Sequence, residues 1–180
     1  VFNYMPNSES GGAFYIHIAK HLTPAVFAKL VVSNSTFIQH EYPVSMSVST
    51  QQGGALYINV EQNNFAKGEG VDIAIIQTKF INCSASEQGG SIYLGKNLGK
   101  IKIAHCLFVS HLPVFTGKGH FIYSKSRLNL SKSKFQSASL EIKSSMLDLP
   151  KMSDISNVYI KCPGWFFVSN DIGISKLSVY

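Results

Sequence analysis

A short glycine-led element recurs along the chain at intervals too long for a turn and too short for a domain, and it constrains the fold more than any other feature. It reads Gly11-Gly12-Ala13-Phe14-Tyr15-Ile16, then Gly53-Gly54-Ala55-Leu56-Tyr57-Ile58, then Gly89-Gly90-Ser91-Ile92-Tyr93-Leu94. A degenerate fourth copy, Gly119-His120-Phe121-Ile122-Tyr123, lacks one glycine. With Gly119 set against the second glycine of the other copies (Gly12, Gly54, Gly90), its tyrosine and aliphatic residue exchange places.

A second element follows each glycine motif. It alternates and ends in phenylalanine, at Phe37, Phe80, Phe108 and Phe135. Seven residues before the phenylalanine stand Leu30, Ile73, Ile101 and Leu128, and five before stand Val32, Ile75, Ile103 and Leu130. Two before are the small Ser35, Thr78, Cys106 and Ser133. These columns read as inward, whereas the polar column three before, Asn34, Gln77, His105 and Lys132, reads as outward. Period-two alternation on both sides of one phase break predicts two short strands meeting at a bend or bulge.

The phenylalanines are 43, 28 and 27 residues apart, a range that signals stacked repeats. A repeat of two or three short strands buries its apolar face only by pairing each strand with its equivalent in the next repeat, about 4.8 Å away. Like then stacks on like, and the four phenylalanines form an internal ladder. The expected fold is all-β, a parallel β-helix of about four complete coils. Thr23 to Leu30, with Pro24 at a first helical position, allows a short helix. Leu140-Glu141-Ile142 and Asn157 to Ile160 read as strands of a final coil, Met146 to Met152 as a connection, and Cys162 to Val168 as a boundary.

Composition agrees with one globular unit: 180 residues, 45% apolar and only 14% charged. No run of 18 apolar residues exists, so no membrane span is expected within the chain. Net charge is +6, almost wholly from lysine, with Arg127 the sole arginine. Nucleic-acid readers lean on arginine for its bidentate fork, so no nucleic-acid partner is expected. Cys83, Cys106 and Cys162 show no Cys-x-x-Cys spacing, which supports neither a zinc ribbon nor a redox motif.

The recurrence of Gly-Gly-Ala-[Ile/Leu/Phe] with a downstream phenylalanine resembles the polymorphic outer membrane protein repeat of the pectin-lyase-like superfamily, over roughly residues 2 to 138. The pattern departs at its last position, where His40, Cys83, His111 and Ala138 stand in place of the usual asparagine. The resemblance implies a right-handed parallel β-helix, an extracellular or cell-surface setting, and a structural or adhesive role with acidic glycans or other surface proteins as partners. The tail Cys162-Pro163-Gly164-Trp165 resembles the start of a cysteine-rich surface module. This implies coils over 1–161, a second unit from 162 to 180, and a partner for Cys162 outside the sequence. Phe2 stands as far before Gly12 as Phe80 before Gly90, so the expectation is a segment opening partway through a repeat and continuing into further domains.

Four kinds of site follow. His40, Cys83 and His111 fall on one column and form a soft N/S set, but Ala138 supplies no fourth ligand, so a polar turn column is favoured over a metal and no cofactor is expected. Lysines crowd the third and fourth coils, and Lys102, Lys118, Lys125, Lys132 and Lys134 form a candidate stripe for acidic glycans; a solvated face is the simpler reading. Asn34, Asn82 and Asn129 begin glycosylation sequons. Polysaccharide cleavage, the enzymatic use of the fold, needs clustered carboxylates, and the ten acidic residues are scattered. Gly119-His120 resembles part of a hydrolase Gly-His-Gly turn that Phe121 interrupts. A non-enzymatic segment is therefore expected, with a lyase or hydrolase acting on acidic polysaccharide as the alternative.

Overall fold

Alternating apolar residues bounded by glycine or polar corners form strands here, and no helix occurs among the described residues. A computed structural model describes residues 2–3, 11–18, 29–39, 50–61, 70–111 and 120–137, and the strands alone thereafter, at 147–149, 152–155, 158–160, 166–168, 173–174 and 178–179. The strands are β1 (Phe2–Asn3), β2 (Phe14–Ile18), β3 (Lys29–Ser33), β4 (Thr36–Ile38), β5 (Thr50–Gln52), β6 (Leu56–Val60) and β7 (Val71–Ile76). Next come β8 (Lys79–Ile81), β9 (Ala85–Gln88), β10 (Ile92–Leu94), β11 (Leu98–Ala104), β12 (Leu107–Ser110), β13 (Ile122–Ser124) and β14 (Leu128–Ser131). The rest are β15 (Lys134–Ser137), β16 (Leu147–Leu149), β17 (Met152–Ile155), β18 (Val158–Ile160), β19 (Phe166–Val168), β20 (Gly173–Ile174) and β21 (Ser178–Val179).

They build three large sheets, and every pairing is parallel. The glycine-motif sheet has the order β19-β16-β13-β10-β6-β2, the alternating sheet β20-β17-β14-β11-β7-β3, and the phenylalanine sheet β1-β4-β8-β12-β15-β18-β21. A small fourth sheet pairs β5 with β9. The chain thus visits the three large sheets in a fixed cycle, each strand pairing with its equivalent from the pass before.

Equivalent residues accordingly lie side by side. Phe37, Phe80, Phe108 and Phe135 stack with ring centroids 5.1, 4.9 and 4.7 Å apart and planes within 7° of parallel. All four are buried, at 1% exposure or less. Phe2 pairs in register with Phe37 at one end of the column, and Tyr159 with Phe135 at the other. Ile73, Ile75, Ile101, Ile103, Leu128 and Leu130 fill the core from the alternating sheet. Their close burial removes the apolar faces that a single pass leaves exposed.

The phase break between the alternating and phenylalanine sheets has a definite cause. Asn34, Gln77, His105 and Lys132 all adopt left-handed backbone, with φ of 49, 51, 55 and 49°. The small residue that follows each of them closes the corner. Ser35 Oγ donates to Ser33 O at 2.9 Å, Thr78 Oγ1 to Ile76 O at 3.0 Å, Cys106 Sγ to Ala104 O at 3.4 Å and Ser133 Oγ to Ser131 O at 3.1 Å. Ile76 O, Ala104 O and Ser131 O also accept the amides of Asn34, Gln77 and His105 from the adjacent pass, at 3.1, 3.0 and 3.1 Å, so the short side chain adds a second donor to each of these carbonyls and braces the corner locally. A small hydrogen-bonding residue suits the column for that reason.

The two glycines of each motif serve different ends. Gly89 has φ +64°, a left-handed turn that suits glycine. Gly90 has no such torsion, but a Cβ there would lie 2.0 Å from His120 O, so it permits close approach between passes.

The fourth copy is in a different register from the one its single glycine suggested. Ile122 pairs with Ile92 and Tyr123 with Tyr93, so His120 answers to Gly90 and Phe121 to Ser91, with no exchange of tyrosine and aliphatic residue. The hydrogen bonds decide this, since Ser91 N and Ile92 N both donate to Phe121 O, at 3.0 and 2.9 Å. A one-residue shift would have turned every side chain of β13 to the opposite face. Phe121, buried at 1%, packs tilted against Phe108 and Phe135.

Further departures lie near the C-terminus. Leu147–Leu149, read as part of a connection, is strand β16 of the glycine-motif sheet, without a glycine pair to announce it. Strands β19, β20 and β21 pair with β16, β17 and β18, so all three sheets run on past residue 161. Of the helix expected over 23–30, Lys29 and Leu30 open β3 and the rest lies outside the described residues, as do 140–142 and Cys162.

Candidate functional site

The core spends its chemistry on stacking, so candidate sites lie at corners and on outward faces. On the alternating sheet, inward Ile101, Ile103, Leu128 and Leu130 leave Lys100, Lys102, Arg127 and Asn129 pointing outward, and all four are exposed. The β11–β14 register sets Ile101 beside Leu128 and Lys102 beside Asn129. These residues line an open groove of about 640 Å³, whose floor includes Leu98 and Gly99. Asp72 borders it: its Oδ1 accepts from Lys100 N at 2.7 Å, and a Cβ on Gly99 would lie 2.5 Å from that oxygen. Lys100 and Lys102 share β11, and strand pairing brings the distant Arg127 and Asn129 to the same groove.

The lysine stripe is divided. Lys102 belongs to this groove; Lys132 occupies a left-handed corner and Lys134 lies on β15 beside Leu107. Lys125 follows β13, with Nζ 5.5 and 6.0 Å from the ring centroids of Tyr93 and Tyr123, and a hydrogen bond to Tyr93 is the first cause raising its pKa. Lys118 lies outside the described residues.

Lys125 sits on a second aromatic column that the motif contained but whose role the sequence reading overlooked. Tyr15, Tyr57, Tyr93 and Tyr123 stack with centroids 4.9, 4.8 and 5.4 Å apart. The signal was the tyrosine at a constant place in each glycine motif. Tyr15 ends the column and is 56% exposed, with His17 beside it and His17 Nε2 3.2 Å from Glu61 Oε1. Burial is the first cause raising the Tyr57 pKa, followed by the neighbouring tyrosines.

The column of His40, Cys83 and His111, read as a polar turn column in preference to a metal site, splits by environment. Cys83 is buried, its thiol donating to Ile81 O at 3.6 Å and Phe37 O at 3.7 Å, and desolvation pushes its pKa up to about 12. A metal needs the thiolate, which this burial opposes. His111 is exposed, His40 lies outside the described residues, and no group of three His, Cys, Asp or Glu able to hold a metal occurs among the described residues. Cys106 is also buried, and desolvation raises its pKa to about 11.

The sequons differ as sharply. Asn34 and Asn129 are exposed. Asn82 is 9% exposed, has φ 55°, and its Oδ1 accepts from His111 N at 2.9 Å. Its carbonyl oxygen is built into a corner, so of the three sequons this one stands in the most enclosed setting. His120 is 2% exposed with its ring edge-on to Phe121, and desolvation lowers its pKa to about 4. In place of an open hydrolase turn it occupies a packed interface between passes.

Among the described residues no helix is long and apolar enough to cross a membrane. Comparison with known proteins finds no matching family model, curated relative or solved structure.

Proposed function

We propose that the chain is a right-handed parallel β-helix acting as a structural and adhesive segment of a secreted or cell-surface protein. The observation that carries this reading is the stacking of equivalent side chains across three parallel sheets: phenylalanine on phenylalanine, tyrosine on tyrosine, and hydroxyl or thiol closing each corner in turn. The repeated residues serve cohesion along the axis, and their repetition leaves the outward faces to vary. The right hand follows from the general preference of parallel crossovers. The family resemblance supplies the extracellular setting.

Some of the groups that could serve polysaccharide cleavage have structural partners. Asp72 accepts from a backbone amide, Glu61 meets His17, and His120 is packed against Phe121. Two measurements test the reading together. Protein incubated with polygalacturonate and calcium is expected to release neither unsaturated nor reducing ends, and beads coated with it are expected to adhere to animal or plant cell surfaces above an albumin-coated control. Cleavage products, or adhesion equal to the control, would overturn it.

A further inference from the structure

We infer that Tyr15 and Tyr57 form an oxidative cross-linking site, at which a peroxidase using hydrogen peroxide joins the two phenol rings ortho to their hydroxyls and so fastens β2 to β6. β2 ends the glycine-motif sheet, so among the described strands it pairs on one side only. Tyr15 and Tyr57 are partners in that pairing, and their rings lie 4.9 Å apart and 8° from parallel. In-register pairing of like residues sets like ring edges together, with the ortho carbons about one strand spacing, or about 4.8 Å, apart. Tyr15 has room to close the remaining gap because it ends the column and is 56% exposed, whereas Tyr57 is buried. His17 lies alongside Tyr15 with its plane 9° from parallel, and its contact with Glu61 ties β2 to the residue that follows β6.

The stack explains how two radicals come to be neighbours when only one ring is open to the oxidant. The first oxidising equivalent takes one electron and the phenolic proton from Tyr15. Tyr57 then passes a hydrogen atom to it across the stack, which regenerates the Tyr15 phenol and leaves the radical on the buried ring. A second equivalent oxidises Tyr15 again, and the two phenoxyl radicals couple through their ortho carbons. Each ring then exchanges its displaced ortho hydrogen for a hydroxyl hydrogen, restoring both phenols. In sum two ring C–H bonds are lost, one C–C bond forms, and the two electrons and two protons reduce hydrogen peroxide to two molecules of water. Lys125 confines the radical to this end of the column. Its Nζ lies 5.5 and 6.0 Å from the centroids of Tyr93 and Tyr123, and a cation there opposes removal of an electron from those rings. The Tyr93–Tyr123 pair is also looser, at 5.4 Å and 16°. The thiols of Cys83 and Cys106 are buried and held protonated by desolvation, which withdraws them from the same oxidant.

The new bond closes a loop from residue 15 to residue 57, which restricts the unfolded chain as a disulfide does, and it acts on an end strand, where fraying starts. This goes beyond the adhesive reading, which stands if the site fails. The test treats the whole folded chain, dilute enough to keep molecules apart, with a haem peroxidase and hydrogen peroxide. Dityrosine fluorescence, a mass lower by two hydrogen atoms, and peptide mapping of the linked residues are the readouts. Coupling within the stack is effectively unimolecular, so Tyr15→Phe and Tyr57→Phe are each expected to lower the dityrosine yield about tenfold or more, while Tyr123→Phe stays within about twofold of the parent. All three variants keep the ring, and circular dichroism establishes that they remain folded. Oxidation in denaturant should lose the link between residues 15 and 57. In the linked chain, exchange of the Glu61 N–H, which donates to Ile18 O at 3.0 Å between the two passes, is expected to slow about tenfold or more. No dityrosine, a link mapped to other tyrosines, or chains joined to one another in its place would overturn the site. Unchanged exchange in a chain shown to carry the link would overturn the fastening of β2.

Discussion

Replacing Phe80 by alanine tests the internal stacking most directly. The ring is 0% exposed and lies between Phe37 and Phe108, with centroids 5.1 and 4.9 Å away and both pairs near parallel. Removing a buried phenylalanine side chain costs about 3–5 kcal/mol through lost burial and the cavity left behind. Two stacked contacts, each worth about 0.5–1.5 kcal/mol beyond area, place Phe80→Ala in the upper half of that range. The rings above and below are fixed to ladder-bonded strands and cannot close the gap. With a urea slope near 2 kcal/mol/M, a loss of about 4 kcal/mol moves the midpoint down by about 2 M. Native-state hydrogen exchange reports the same loss locally. Leu107 N–H donates to Thr78 O at 2.9 Å across the affected strands, and its exchange should quicken about a thousandfold where it proceeds through opening of this layer. Phe80→Leu, which keeps most of the volume, is expected to cost about 1.5 kcal/mol or less. A loss below about 1 kcal/mol for alanine, or equal losses for alanine and leucine, would refute the cavity argument and with it the placement of Phe80 inside a stack.

Two further outcomes follow from the corners and the fourth repeat. His120 has its folded pKa lowered to about 4 from 6.5, so the unfolded chain takes up a proton first as pH falls. Its contribution to stability is whole above about pH 6.5 and is lost by about pH 4, amounting to about 3 kcal/mol, and His120→Gly should flatten the unfolding free energy over that interval; an unchanged slope would refute the assignment. Cys106 sits in a column otherwise made of Ser35, Thr78 and Ser133, each donating to the carbonyl two residues back, so Cys106→Ser should change stability by less than about 1 kcal/mol in chemical denaturation. A loss near 3 kcal/mol would show that the thiol is there for packing and not for its donor.

Much of the architecture was legible because stacking copies one pass onto the next. The phenylalanine column, the alternating aliphatic columns and the small residues before each phenylalanine could be aligned by eye, and their places in the structure are adjacent strands of shared sheets. The left-handed corner was legible as a polar column and a phase break, though Gln77 and Lys132 give no hint of positive φ, which Asn34 and His105 favour among the four. The register of the fourth copy was not legible. A lone glycine can stand for either member of a pair, and the choice is made by the hydrogen bonds of Ser91 and Ile92 to Phe121 O.

The candidate groove divides in the same way. Lysine excess is a property of composition, and any alignment of the repeats shows that Lys102 and Asn129 share a column. That these side chains border one groove, that Asp72 is tied to the Lys100 backbone amide, and that Lys132 sits at a left-handed corner depends on strand pairing and on the bend at each corner. By itself the sequence determined the strands that carry the repeated motifs, their inward faces and the repeat that stacks them, because these follow from local alternation and turn chemistry. Tertiary structure alone decided which side chains share a surface, because residues distant along the chain become neighbours only when one pass is laid against the next.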